Sequence, residues 1–163
     1  MTGTKKRNKS YKPRRVQLDP VSWAIAGSHK IPLKLQAELR EPLADALALL
    51  RQGVAKRDDW NQLSNALNLA EALAGLQIGP NLVPAIAAGE RSLEAVALRM
   101  QKTGHSTLWA VELADITEAL EMYRIQVSLC SQAEYSRAVR RVKDMHRGGG
   151  MCDVAKLYEG MPA

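Results

Sequence analysis

The first twenty residues of the chain are rich in basic residues, which can neutralise phosphate. They contain seven lysines and arginines and a single acid, Asp19. The candidate nucleic-acid-binding residues of this leader are Lys5, Lys6, Arg7, Lys9, Tyr11, Lys12, Arg14 and Arg15. Cations on an extended arm displace counterions from a phosphate backbone, and a tyrosine ring can stack on a base. The leader therefore predicts salt-dependent, sequence-tolerant binding to DNA or RNA. Contact with an acidic protein and a purely solubilising role are the alternatives.

A second group of cations lies in the last long segment with helical periodicity. Arg140, Lys143 and Arg147 fall on one face at helical spacing, with Arg137 and Arg141 beside it. Convergence of this face with the leader would make one phosphate-binding surface. The alternative is a solvated face that pairs with the acidic side of the preceding predicted helix, which consists of Glu112, Asp115, Glu118 and Glu121.

One pattern in the same segment could indicate a catalytic site: Arg141 is followed by His146 with four residues between them. This Arg-x4-His spacing resembles the motif of HEPN-type ribonucleases. The resemblance implies a metal-independent attack by the RNA 2′-hydroxyl on the scissile phosphate, in a homodimer whose two copies of Arg141 and His146 face one cleft. Val142 departs from the polar residue that this family usually places after the arginine. We predict a protein that is not an enzyme and keep this ribonuclease as an alternative.

Metal and cofactor sites are not predicted. Cys130 and Cys152 form no Cys-x-x-Cys pair, and the three histidines show no i,i+4 spacing. Two isolated cysteines are typical of a reducing cytoplasm. No apolar run approaches the roughly 18 to 20 residues that span a bilayer, so no membrane partner is expected. We predict a cytoplasmic protein.

The elements that must position these residues are helices, because the chain is rich in alanine and leucine, lacks Phe and shows no period-two alternation. We predict an all-α fold, an antiparallel bundle of about five helices. The predicted organisation is a basic flexible arm (1–20), a connector (21–32), the bundle (33–147), and a glycine-rich turn with a short C-terminal helix (148–163).

Local signals set the predicted helix ends. Pro42 should kink the first helix or begin a new one, and Gly53 should end it. Asp58 or Asp59 should cap the second helix, which should end at Gly79-Pro80. The predicted third helix runs over 83–103 and closes at Gly104, and its internal Gly89 costs roughly 1 kcal/mol unless a close helix crossing uses it. The fourth should span 107–129. The fifth should start at a capping box of Ser131 and Glu134 and run to Arg147.

Three stretches resemble a group of small uncharacterised proteins carried by phages, prophages and plasmids of Gram-negative bacteria: KKRNKSYKPR, DWNQLSNALNLAEALAGLQIGPN and ELADITEALEMYRIQVSLCSQAEYSRAV. The resemblance implies a setting, the cytoplasm of a bacterial host, and no activity. We therefore predict a non-enzymatic accessory protein of a mobile genetic element that binds nucleic acid. The first alternative is a protein-interaction module that inhibits or regulates a host or phage factor through an apolar groove and the acidic helix face.

Overall fold

A computed structural model describes residues 20–148 of the chain, and within these residues the fold is all-α. Its six α-helices are α1 (Pro20–Ser28), α2 (Leu33–Arg51), α3 (Arg57–Gly75), α4 (Val83–Thr103), α5 (Ala110–Leu129) and α6 (Gln132–Gly148). A single 3-10 turn, Pro80–Leu82, precedes α4. The five predicted helices correspond to α2–α6. The sixth, α1, lies in the segment that we expected to be a connector. The predicted arm up to residue 19 and the predicted C-terminal turn and helix from residue 149 lie outside the described residues.

The central helix is α3, because α2, α4, α5 and α6 all pack against it. Its predicted stripe is confirmed: the side chains of Trp60, Leu63, Leu67, Ala70 and Ala74 are all buried. One end of the core joins α3 to α2, α4 and α5 around Trp60, and the other joins it to α5 and α6 around Leu73.

The crossing of α4 and α5 is close because Gly89 has no side chain. A Cβ atom at this position would collide with the Ala119 Cβ and would lie 3.1 Å from the Asp115 carbonyl oxygen. Further along the crossing, Ser92 donates a hydrogen bond to Asp115, and Arg99 pairs with Glu112. Residues later in α4 therefore meet residues earlier in α5. The close approach explains a glycine inside a helix.

Glycine signals in the sequence predicted two of the helix ends correctly. Gly53 has a φ of +74° after α2, and Gly104 has a φ of +72° after α4. The Gly53 N–H donates to Leu50 O and the Val54 N–H to Leu49 O, which is the pairing of a Schellman motif. Both helices thus end where a left-handed residue satisfies their last carbonyls.

Of the two outcomes predicted at Pro42, a new helix is excluded, because α2 continues through this residue. Two other predicted boundaries were wrong. Helix α3 begins at Arg57, because Asp59 acts from the third helical position and accepts the Lys56 N–H at 2.7 Å. It ends at Gly75 rather than at Gly79, because Gln77 adopts the left-handed conformation with a φ of +66°.

The core beneath α6 holds two phenols and a thiol. The hydroxyls of Tyr123 on α5 and Tyr135 on α6 are 2.9 Å apart, and burial raises the pKa of both tyrosines. Burial also raises the pKa of Cys130 to about 11. The thiol therefore stays protonated near neutral pH and packs as a small apolar group.

Candidate nucleic-acid interface

The start of α6 is fixed by the predicted capping box. The Ser131 N–H donates to Glu134 Oε2 at 2.7 Å, and the Glu134 N–H donates to Ser131 Oγ at 3.3 Å. The Ser131 hydroxyl also donates to Glu134 Oε2 at 2.8 Å, and the two bonds that this carboxyl accepts from Ser131 hold its pKa below its usual value. The box sets the first turn, and burial of Ala138 and Val142 sets which side of α6 faces the core.

The opposite side of α6 forms a ridge of exposed cations, which we define as Arg140, Lys143 and Arg147. Arg147 lies 3.6 Å from Asp144 in a largely exposed pair. Within residues 20–148, neither Arg140 nor Lys143 has a carboxylate within ion-pair distance, and neither does Arg137 beside them. Helix α6 carries five lysines and arginines against two acids, so its surface is basic on balance.

The acidic residues of α5 do not neutralise this ridge, because most of them are engaged elsewhere. Glu112 is only 6% exposed and forms a two-pronged pair with Arg99 of α4. Asp115 accepts the Ser92 hydroxyl at 2.7 Å, and Glu121 accepts from its own neighbour Arg124 at 2.6 Å. The expectation of a continuous acidic face on this helix was therefore wrong at Glu112.

Arg141 points away from the ridge and toward the end of α3. Its Nη1 atom would lie 2.7 Å from a Cβ atom added at Gly75, so the guanidinium covers the glycine. Gly75 is the last residue of α3, where the helix dipole places partial negative charge. Arg141 thus contacts the last residue of α3 while its side chain stays exposed.

An open groove runs along each side of the ridge. The first, between α1 and α6, has a volume of about 520 Å³ and is bordered by Arg137 and Arg140, with Gly27 and Ala133 at its narrow part. The second, between α3 and α6, has a volume of about 570 Å³. The residues that line this α3–α6 groove are Asn61, Asn65, Leu69, Val139, Val142, Lys143 and His146.

The structure separates the two residues of the ribonuclease motif. His146 is exposed and lines the α3–α6 groove, whereas Arg141 covers Gly75 at the other end of α3 and is not among the residues of that groove. Within one protomer the α3–α6 groove therefore contains only His146 of this pair. Catalysis across a homodimer stays a prediction.

Sequence reasoning did not identify Asn61 and Asn65 as candidate binding residues. Their i,i+4 spacing places them on one face of α3, and this spacing was the only available signal. Their role depends on α6, which is distant in sequence and approaches only in the folded chain. The leader residues Lys5–Arg15 lie outside the described residues.

An apolar groove of about 360 Å³ lies away from α6, between α2 and α5. Leu39, Leu43 and Leu47 line it from α2, and Leu120 and Val127 line it from α5. It is the feature that the protein-interaction alternative requires.

Metal sites and membrane-spanning helices were also considered within the described residues. Within 20–148, no three His, Cys, Asp or Glu side chains lie close enough together to hold a metal ion. No helix of this part of the chain is long and apolar enough to cross a membrane. Comparisons of the chain with models of protein families, with curated proteins and with solved structures find no match.

Proposed function

We propose that this protein is a non-enzymatic nucleic-acid-binding protein whose interface consists of α6 and the basic leader. The observation that carries the proposal is the set of unpaired cations on α6: Arg137, Arg140 and Lys143 are exposed, and none of them lies within ion-pair distance of a carboxylate in residues 20–148. Two of them are arginines, whose planar guanidinium can donate two parallel hydrogen bonds to one phosphate. A row of such groups fits a phosphodiester backbone better than it fits an isolated anion.

The charge distribution of the whole chain supports the same proposal. The leader has seven basic residues and one acid, while the other 143 residues carry 16 of each. The surplus therefore lies entirely in the leader, and within the folded part α6 is a local basic excess. Counterion release from two such segments gives affinity with little sequence preference.

The proposed setting is a mobile genetic element of a Gram-negative bacterium, with the protein acting in the host cytoplasm. This part rests on the three stretches that resemble phage, prophage and plasmid proteins. An accessory protein of such an element meets DNA and RNA throughout the life of the element, which fits a binder of low sequence preference.

Fluorescence anisotropy with labelled nucleic acid, read as a function of salt, tests the proposal. We expect the full chain to bind, and the triple variant Arg137→Gln, Arg140→Gln, Lys143→Gln to bind more weakly. Loss of three phosphate contacts should reduce the slope of log K against log salt on duplex DNA by about 2.7. Deletion of residues 1–15 should reduce it further.

A matched control removes the same charge from elsewhere on the fold. Arg40, Arg91 and Lys102 are exposed and lie on α2 and α4, away from α6. Their replacement by Gln should leave most of the affinity in place. Equal losses in the two triple variants, or no binding by the full chain, would overturn the proposal.

A protein-interaction function is the second candidate, and the α2–α5 groove favours it. Apolar side chains on both walls and a polar rim of Arg40, Glu121 and Arg124 are typical of sites that accept an amphipathic helix. Such binding would persist at high salt, where phosphate binding fails. Isothermal titration against a candidate host factor in low and high salt separates the two functions.

A further inference from the structure

We infer that the α3–α6 groove accepts unpaired bases, so that the preferred ligand is single-stranded nucleic acid. This inference rests on the proposed function and adds to it the form of nucleic acid that is bound. The groove lies directly beside the cationic ridge, and Lys143 belongs to both. A strand whose phosphates follow the ridge would therefore present its bases to the groove.

The polar wall of the groove can pair with base edges. Asn61 and Asn65 lie one helical turn apart on α3, and neither amide has a hydrogen-bond partner within residues 20–148. Each primary amide offers two donors and one acceptor oxygen. That combination matches the mixed donors and acceptors on the Watson–Crick edge of a base.

The floor of the groove is apolar and suits the face of a base. Leu69 of α3 and Val139 and Val142 of α6 line it, and Val142 is buried while the other two are partly exposed. The volume of about 570 Å³ falls within the roughly 300 to 1,000 Å³ of small-molecule sites. An aliphatic floor between two amides and a cation therefore combines burial of a ring face with recognition of its edge.

The charges around the groove complement a nucleotide strand. Lys143 and His146 stand on the α6 side, and no acidic residue lines the groove. An apolar peptide would leave the ridge cations without partners, whereas a nucleotide strand offers phosphates to the ridge and base edges to the two free amides. A duplex could use the ridge, but its base edges are paired and stacked, so it could not use the amides.

The experiment compares four labelled probes with the full chain: single-stranded DNA, single-stranded RNA of the same sequence, duplex DNA, and an abasic phosphodiester strand of the same length. We expect the two single strands to bind about ten-fold tighter than the abasic strand. Comparison of the affinities for single-stranded DNA and RNA shows whether the 2′-hydroxyl contributes to binding.

The variant Asn61→Ala, Asn65→Ala should lower binding of the single strands to the level of the abasic strand and leave abasic binding unchanged. Alanine favours helix, and both positions are at least partly exposed, so this variant should keep its urea midpoint. The matched control Gln52→Ala, Gln101→Ala removes two exposed amides outside the groove and should retain the preference for bases.

Failure of this inference can be distinguished from failure of the proposed function. Equal affinity for the single strands and the abasic strand would overturn base binding while leaving phosphate binding intact. A base preference that survives in the Asn61, Asn65 variant would also overturn it, since the bases would then be read elsewhere. No binding to any probe would overturn the proposed function itself.

Discussion

The α4–α5 pair uses its charges within the fold, whereas α6 turns its charges to the solvent. In the first region Arg99 and Glu112 are largely buried, and Arg99 also stacks on Trp109 with its guanidinium carbon 4.1 Å from the ring centre. In the second, Arg137, Arg140 and Lys143 have no such partners within residues 20–148. The same residue types therefore serve stability in one region and remain free for a ligand in the other. Four predictions test this comparison, from the largest expected effect to the smallest.

The largest effect is expected from Arg99→Ala. The substitution leaves the Glu112 carboxylate 6% exposed without its cation, and it also removes the Arg99 hydrogen bond to Thr107 O. Breaking a buried pair in this way costs about 3 kcal/mol. Urea unfolding measures the loss. Adding Glu112→Gln should recover part of it, and no recovery would show that the pair is not the cause.

A close second is Gly89→Ala at the α4–α5 crossing. The added Cβ would collide with Ala119, so the helices must separate, and overpacking of this kind costs about 2 kcal/mol. Thermal unfolding of the variant, of Gly89→Ala with Ala119→Gly, and of Gly148→Ala measures the effect. The double variant should be partly rescued. Gly148 has open space around it and serves as the control.

A pH-dependent effect is expected from Glu90, a partly buried carboxyl of α4. Burial, with a smaller contribution from Glu71, raises the Glu90 pKa from 4.5 to about 7, and its Oε1 atom has no hydrogen-bond partner among the described residues. The folded state therefore holds this proton more tightly than the unfolded state does. Stability should fall as pH rises from 4.5 to 7 and stay reduced above that range.

The variant Glu90→Gln should remove this dependence and be more stable than the parent at pH 8. The gain should be on the order of 1 kcal/mol, since partial exposure screens the charge. Urea unfolding of both proteins at pH 5 and pH 8 measures it. A constant difference between parent and variant at the two pH values would contradict the prediction.

The smallest effect on stability is expected from the double variant Arg140→Gln, Lys143→Gln on the ridge. Exposed side chains without partners contribute little to folding, so the change should stay within about 0.5 kcal/mol. Urea unfolding of the double variant and of the parent checks this value. A loss near that of Arg99→Ala would mean that α6 uses these charges within the fold.

The features that could be predicted from the sequence depend on residues close together in the chain. Ser131 and Glu134 meet within one turn, so the start of α6 was predicted correctly. Gly104 supplies its own left-handed conformation, so the end of α4 was predicted as well. Periodicity gave the all-α class and the buried side of α3. In each case the deciding interaction lies within about one helical turn.

The features that could not be predicted depend on distant partners or unusual conformations. Glu112 reads as part of an acidic face, because its partner Arg99 lies on another helix. Gln77 gives no sign that it will adopt a φ of +66°, since left-handed conformations are uncommon outside glycine, asparagine and aspartate. The nine residues of α1 are too few to show a clear apolar stripe. The groove beside Asn61 and Asn65 exists only after α6 packs on α3.

The attachment of α1 to α6 has a consequence for affinity. The His29 carbonyl accepts the Gln132 N–H at 3.0 Å, an isolated bridge joins Lys30 to Ser131, and Gly27 lies against Ala133. The leader directly precedes α1 in the sequence, so its seven cations are covalently connected to a helix that packs on α6. Under the proposed function, binding of the leader to a strand that α6 already holds is an intramolecular step. The effective concentration of the leader in that step is on the order of millimolar. Lengthening the chain between residues 19 and 20 with a flexible insert should therefore weaken binding by dilution alone, without removing a single contact.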